Sequence, residues 1–222
     1  MRILAIADTQ ERALSEHFDP KRWGSIDLII SCGDLDPDYL DLVVSRIDAP
    51  LLYVRGNHDT SYHERPPGGC ENIDGRVRRF GGLRIAGLEG SRWYGGRGIE
   101  YSDRDMVWRC YWLRARILLA RGIDILVTHA PPVFVRNSES SSESAESQST
   151  PHQDKASIQT DRVHAGFPAF NRLIQQSHPI MHLHGHTHLS YGRAKRESRL
   201  GTTCVIDCYG AHVIEIDANR KR

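Results

Sequence analysis

The chain has 222 residues, 39% of them hydrophobic and 26% charged, with 29 basic against 28 acidic side chains. That length suits one globular domain, and the net charge of +1 lacks the basic excess with which a dedicated duplex nucleic-acid binder meets phosphates. The apolar runs are far shorter than the roughly 20 residues that cross a bilayer, so no membrane partner is expected.

The N-terminus passes from Met1-Arg2 into a short apolar run that stops at Asp8, with no long apolar segment before a small-residue cleavage site. A cytoplasmic location is therefore predicted. Short apolar runs bounded by turn residues recur at 3–7, 26–31, 51–54, 83–88, 123–128 and 180–184. Their length and β-branched content predict strands buried on both faces of a sheet. Apolar residues at helical spacing predict helices over 38–47, 103–121 and 169–176, the second stopped by Gly122. Segments 202–207 and 212–216 flank Cys208-Tyr209-Gly210-Ala211 and read as a hairpin. This alternation implies an α/β domain with a mixed sheet or a pair of stacked sheets. Residues 1–222 read as a single domain. Within it, the Ser/Glu-rich stretch 137–151 is too polar to repay its ordering entropy and reads as a disordered insertion.

Five cysteines, Cys32, Cys70, Cys110, Cys204 and Cys208, form no CxxC pair and read as reduced, mostly buried thiols. The unusual count is histidine, at 12. Five segments place polar donors at the exit of a predicted strand: Asp8-Thr9-Gln10, Gly33-Asp34, Gly56-Asn57-His58-Asp59, Thr128-His129 and Gly185-His186-Thr187-His188. In an open α/β sheet the carboxyl ends of the strands form the ligand crevice, so the five are expected to converge. Carboxylates, an amide and imidazoles make a mixed oxygen and nitrogen set suited to Mn²⁺, Fe or Zn²⁺ and unlike the all-oxygen shell of Ca²⁺. Taken singly, each segment reads as well as a helix cap or a turn. Their coincidence is what argues for a metal site, and the number of donors favours two ions over one.

Taken together, Asp8, Gly33-Asp34, Gly56-Asn57-His58-Asp59, His129 and Gly185-His186-Thr187-His188 resemble the ordered signature of the calcineurin-like metallophosphoesterases. The resemblance covers nearly the whole chain and implies a four-layer α/β/β/α sandwich of two stacked mixed β-sheets. It implies that Asp8, Asp34 and His188 bind one divalent ion, with Gln10 where the family has histidine. Asp34 would bridge to a second ion held by Asn57, His129 and His186. His58 is implied to contact the phosphate or to protonate the leaving oxygen, with Asp59 helping to orient it.

The implied reaction is hydrolysis of a small phosphoester, nucleotide-like substrates included, by a hydroxide shared between the ions. A phosphodiester is favoured over a monoester, because Gly33-Asp34-Leu35-Asp36-Pro37 lacks the run found in protein phosphatases. Two divalent ions would leave the site about one charge positive after Asp8, Asp34 and hydroxide, which favours an anionic substrate. Gln10 is a poorer ligand than imidazole for such ions, so the first ion should be held more weakly. That departure also motivates a different reading, a scaffold of the same fold acting as a binding module.

Further candidates surround this set. Arg92, Trp93 and Tyr94 offer a cation and two aromatic faces on a glycine-flanked loop, suited to a phosphate and a base or aromatic leaving group; a surface loop with a buried Trp93 reads as well. His164 is a candidate substrate contact on another loop. His182 and His184 lie inside a predicted strand and are expected to pack or to support ligands.

Overall fold

A computed structural model of the chain describes residues 1–96, 98–133, 166–187 and 195–217. His164, His188 and the Ser/Glu-rich stretch 137–151 lie outside the described residues.

The chain begins with β1 (Arg2–Ala7), two single-turn helices α1 (Arg12–Ser15) and α2 (Pro20–Trp23), β2 (Leu28–Ser31), α3 (Pro37–Ile47) and β3 (Leu51–Tyr53). A 3-10 turn over Asp59–His63 leads to β4 (Cys70–Asn72), β5 (Val77–Phe80), β6 (Leu83–Leu88) and the two-residue strands β7 (Ser91–Arg92) and β8 (Glu100–Tyr101). Next come α4 (Asp103–Leu119), β9 (Ile125–Thr128), α5 (Pro168–Ser177), β10 (Met181–His184), β11 (Glu197–Leu200), β12 (Thr203–Asp207) and β13 (Gly210–Glu215).

The strands form two mixed sheets, in the orders β13-β1-β2-β3-β4 and β11-β12-β10-β9-β6-β5, and β7 pairs with β8 separately. Alternation along each buried strand decides the layers. Ile3, Ala5 and Ala7 of β1 pack with Ile125 and Val127 of β9 in the core between the sheets. Leu4 and Ile6 point the other way, onto Leu14 of α1 and Leu40 and Val43 of α3. Leu126 of β9 likewise faces Met106, Leu113 and Ile117 of α4 and Phe170 of α5. The result is the expected α/β/β/α sandwich.

The helices start where local chemistry favours it. Asp36 caps α3 by accepting from the Asp38 amide at 2.8 Å, ahead of Pro37. Ser102 and Asp105 close a capping box on α4. That helix ends at Leu119 with Ala120 as its cap, short of the expected stop at Gly122, and the left-handed turn falls on Arg121, at φ of +63°.

The hairpin expected over 202–216 does not form. β12 runs parallel to β10 in one sheet, whereas β13 runs antiparallel to β1 in the other, so Cys208-Tyr209 crosses between sheets. β12 makes its hairpin with the preceding β11. The half-exposed, charged edge strand β11 carries no apolar run, and without it β13 looked like the nearest partner.

Candidate metal centre

The five donor segments follow directly after β1, β2, β3, β9 and β10. β1, β2 and β3 are parallel neighbours in one sheet, and β9 and β10 are parallel neighbours in the other, so their C-terminal ends face one rim. Hydrogen bonds tie the loops together. The Asp8 amide donates to the Gly33 carbonyl at 3.1 Å, and the His186 amide donates to the Asp8 carboxylate at 2.9 and 3.0 Å. The His58 amide donates to Asp34 Oδ1 at 2.8 Å.

Two glycines permit this closeness. A Cβ on Gly56 would sit 2.0 Å from Asp34 Oδ1, and one on Gly185 would sit 2.6 Å from Asp8 Oδ2. Asp8, Asp34 and His186 adopt left-handed backbone angles, with φ of +64°, +57° and +69°. Non-glycine residues rarely do so, at a cost of about 1–3 kcal/mol each, and the loops' mutual hydrogen bonds hold them there.

His129 is fully buried, and its Nδ1 lies 2.8 Å from the Cys32 carbonyl oxygen. Nδ1 therefore donates, and Nε2 faces Asn57 Oδ1 at 3.0 Å and Asp34 Oδ2 at 3.3 Å. Three lone pairs meeting in a buried space call for a cation between them. A proton on Nε2 answers that need in part. Burial disfavours it, yet the Asp34 and Asp8 carboxylates outweigh burial and lift the His129 pKa to about 9. A divalent ion fits the same donors and adds His186, since ligand atoms of Asp34, His129 and His186 lie within 4.8 Å of one another.

The carboxylates show the same demand for positive charge. Burial lifts the Asp8 pKa to about 7, although His129 and the His186 amide pull it down. Asp34 is held near 2: burial works against its charge, and His129 and the His58 amide override it.

The set expected for the second ion, Asp34, Asn57, His129 and His186, is thus brought together. Of the first set, Asp8 stands on the same rim, Gln10 is exposed two residues beyond it, and His188 is outside the described residues. His58 is exposed, whereas Asp59 is buried, and Asp59 Oδ2 accepts from the amides of Asp34 at 2.8 Å and Gly56 at 2.7 Å. Asp59 therefore clamps the two loops to each other.

Tyr94 reaches the site, its phenol oxygen accepting from Asn57 Nδ2 at 3.0 Å. Arg92 is ion-paired with Asp103, and Trp93 is 64% exposed, not buried. His182 and His184 are buried, as expected of strand residues. Thr128 gives its hydroxyl hydrogen to the Ala130 carbonyl at 2.6 Å, so His182 Nε2 donates to Thr128 Oγ1 at 2.8 Å and supports the segment carrying His129.

Asp207 escaped the sequence reading. It is buried, accepts from the Thr187 hydroxyl and, at 2.9 Å, from the Tyr209 amide, and so fastens the segment carrying His186. Its position at the exit of an apolar run, like that of Asp8, was the available signal.

A sequence model of the calcineurin-like phosphoesterases matches residues 1–190, and the chain belongs to that family. Membership makes it, by class, a phosphoester hydrolase that uses divalent metal ions. The fold is similar to that of TT1561 of Thermus thermophilus, at 15% identity and a TM-score of 0.63, over 94% of this chain and 89% of that one. Vps29 from Entamoeba histolytica aligns over 93% of this chain and 73% of its own, at 14% identity and a TM-score of 0.41. No curated protein sequence matches the chain.

Proposed function

We propose that this protein hydrolyses a phosphodiester, at a site where Asp8, Gln10, Asp34 and His188 hold one divalent ion and Asp34, Asn57, His129 and His186 hold a second. The observation that carries the reading is the convergence of His129 Nε2, Asn57 Oδ1 and Asp34 Oδ2 in a buried space. Divalent ions bound there supply the charge that attracts an anionic phosphate and activates water as the nucleophile.

The protein's own groups do the rest. Asp34 and Asp8 balance the positive charge, and Asp59 keeps Asp34 in register with Gly56. Tyr94 fixes which end of the Asn57 amide faces inward. His58, exposed beside these ligands, is placed to contact the phosphate or to give a proton to the leaving oxygen. Trp93 offers an open ring face for a base or an aromatic leaving group.

The preference for a diester rests on Gly33-Asp34-Leu35-Asp36-Pro37, which lacks the protein-phosphatase run. Turnover of bis-(p-nitrophenyl) phosphate and p-nitrophenyl phosphate with Mn²⁺ tests the reading. Faster cleavage of the diester is expected, with Asn57→Ala and His58→Ala each losing at least about tenfold. A protein that binds Mn²⁺ and turns over neither compound is instead the scaffold that Gln10 suggested.

A further inference from the structure

Helix α4 is apolar on two opposite faces. Met106, Cys110, Leu113 and Ile117 are buried against the sheet and α5. On the other side Trp108 is 55% exposed, Tyr111 58%, Trp112 62%, Leu118 64% and Leu119 86%. A second apolar stripe, set apart from the buried one by the charged flanks Asp105, Arg114 and Arg116, is a surface that a partner covers. Together with Val107 these side chains expose on the order of 700 Å², close to the ~800 Å² that each partner gives to a standard protein interface. The aromatic contacts of Trp108, Tyr111 and Trp112 are with one another, edge to face along their own helix.

We propose that this face of α4 is the contact between two copies of the chain, paired antiparallel about a twofold axis. The stripe Arg104, Trp108, Tyr111, Ala115 and Leu118, exposed except at the half-buried Ala115, alternates steps of four and three residues, the spacing of a seam between two helices.

The face is also complementary to itself. With the axis between Tyr111 and Trp112, Trp108 of one copy lies over Ala115 of the other, large against small. The same register sets the aliphatic stem of Arg104 against Leu119 of the second copy. Asp105 and Arg116 are eleven residues apart, about 20° around the helix, so they share one flank. A twofold axis places like flanks on the same side, which brings Asp105 of one copy within about two residues' rise of Arg116 of the other, at both ends of the contact, where they add to the bonds each makes in its own chain, to Ser102 and to the Gly75 carbonyl. A lipid surface would also accept tryptophans and arginines, so vesicle binding is one outcome of the test.

Light scattering after size exclusion, at micromolar protein, tests the pairing independently of catalysis. The unmodified protein is expected at twice the chain mass. Trp108→Glu with Trp112→Glu should bring it to a single chain mass, and so should Ala115→Trp, which adds apolar surface but fills the space Trp108 needs. Asp105→Lys should weaken association several-fold, and adding Arg116→Glu should restore it; circular dichroism verifies that each variant is folded. A single chain mass for the unmodified protein, or a dimer that survives Ala115→Trp, overturns the proposal. So does a monomer that sediments with phosphatidylglycerol vesicles through these tryptophans.

Discussion

The phenol oxygen of Tyr94 accepts a 3.0 Å hydrogen bond from the side-chain amide of Asn57, leaving the Asn57 carbonyl oxygen 3.0 Å from His129 Nε2. An amide offers a donor at one end and an acceptor at the other, so a group that engages the donor decides where the acceptor points. The rest of the loop supports this, since the Ile99 amide donates to the Asn57 backbone carbonyl at 3.1 Å. A segment outside the Gly56-Asn57-His58-Asp59 motif thereby sets which end of the Asn57 amide faces His129.

Tyr94→Phe removes that acceptor and nothing else of comparable size. A lost hydrogen bond of this kind is worth about 1 kcal/mol, so a three- to tenfold fall in kcat/KM for the diester is expected, with a similar loss in Mn²⁺ affinity by calorimetry. Unchanged values in both would show that Asn57 is oriented without Tyr94.

Gln10→His replaces a neutral amide oxygen with an imidazole beside Asp8. The variant should bind the more weakly held equivalent of Mn²⁺ or Zn²⁺ at least about tenfold more tightly in equilibrium dialysis. Two tight equivalents in the unmodified protein, with no gain in the variant, would contradict it.

Glu100 ties the Tyr94 loop together: its Oε2 accepts from the amides of Tyr94 at 3.0 Å, Gly95 at 3.0 Å and Gly96 at 2.8 Å. Burial opposes the charge, but these donors outweigh it and hold the carboxyl below its ordinary value. A pKa lowered by folding gives stability that is present above the unfolded value and lost as pH falls through the folded one. Below about pH 4, hydrogen exchange at Tyr94, Gly95 and Gly96, corrected for its intrinsic pH dependence, should accelerate relative to β1 amides. Glu100→Gln should flatten that dependence; an identical profile in the variant would rule the carboxylate out as its cause.

Under the same loop, Glu89 is 3% exposed, receives Arg55 through bonds of 2.7 and 2.9 Å, and accepts from the Tyr101 hydroxyl at 2.9 Å. Glu89→Leu strands a largely buried guanidinium and should cost about 3–5 kcal/mol in urea unfolding. Adding Arg55→Met should recover a substantial part, because the uncompensated charge goes with it. A double variant as unstable as the two single losses combined would mean that the pair does not act as a unit.

The donor segments were legible because each follows a short buried strand, and strand exits are where such sheets bind ligands. Asp8, Asp34, Asn57, His129 and His186 stood out as donors at strand exits from local pattern, and the family followed from the resemblance of their ordered segments to its signature. The hairpin misreading has the same root. β12 and β13 both carry strand patterns, but a pattern fixes which residues face a core and not which sheet a strand joins. Asp59 shows a similar limit: its place in Gly56-Asn57-His58-Asp59 suggested His58 as its partner, and folding gave its carboxylate to two backbone amides instead.

Chemical type, spacing and periodicity, then, were set by the sequence: short buried strands, helices with readable caps, and polar donors at the strand exits. Distances between residues far apart in the chain, such as Asn57 to His129 or Tyr94 to Asn57, were decided by the packing of one sheet on the other and of the β7–β8 loop on both. So was the exposure of Trp108, Tyr111 and Trp112, since helical spacing makes both sides of α4 equally apolar and only the sheet beneath determines which side is left to water.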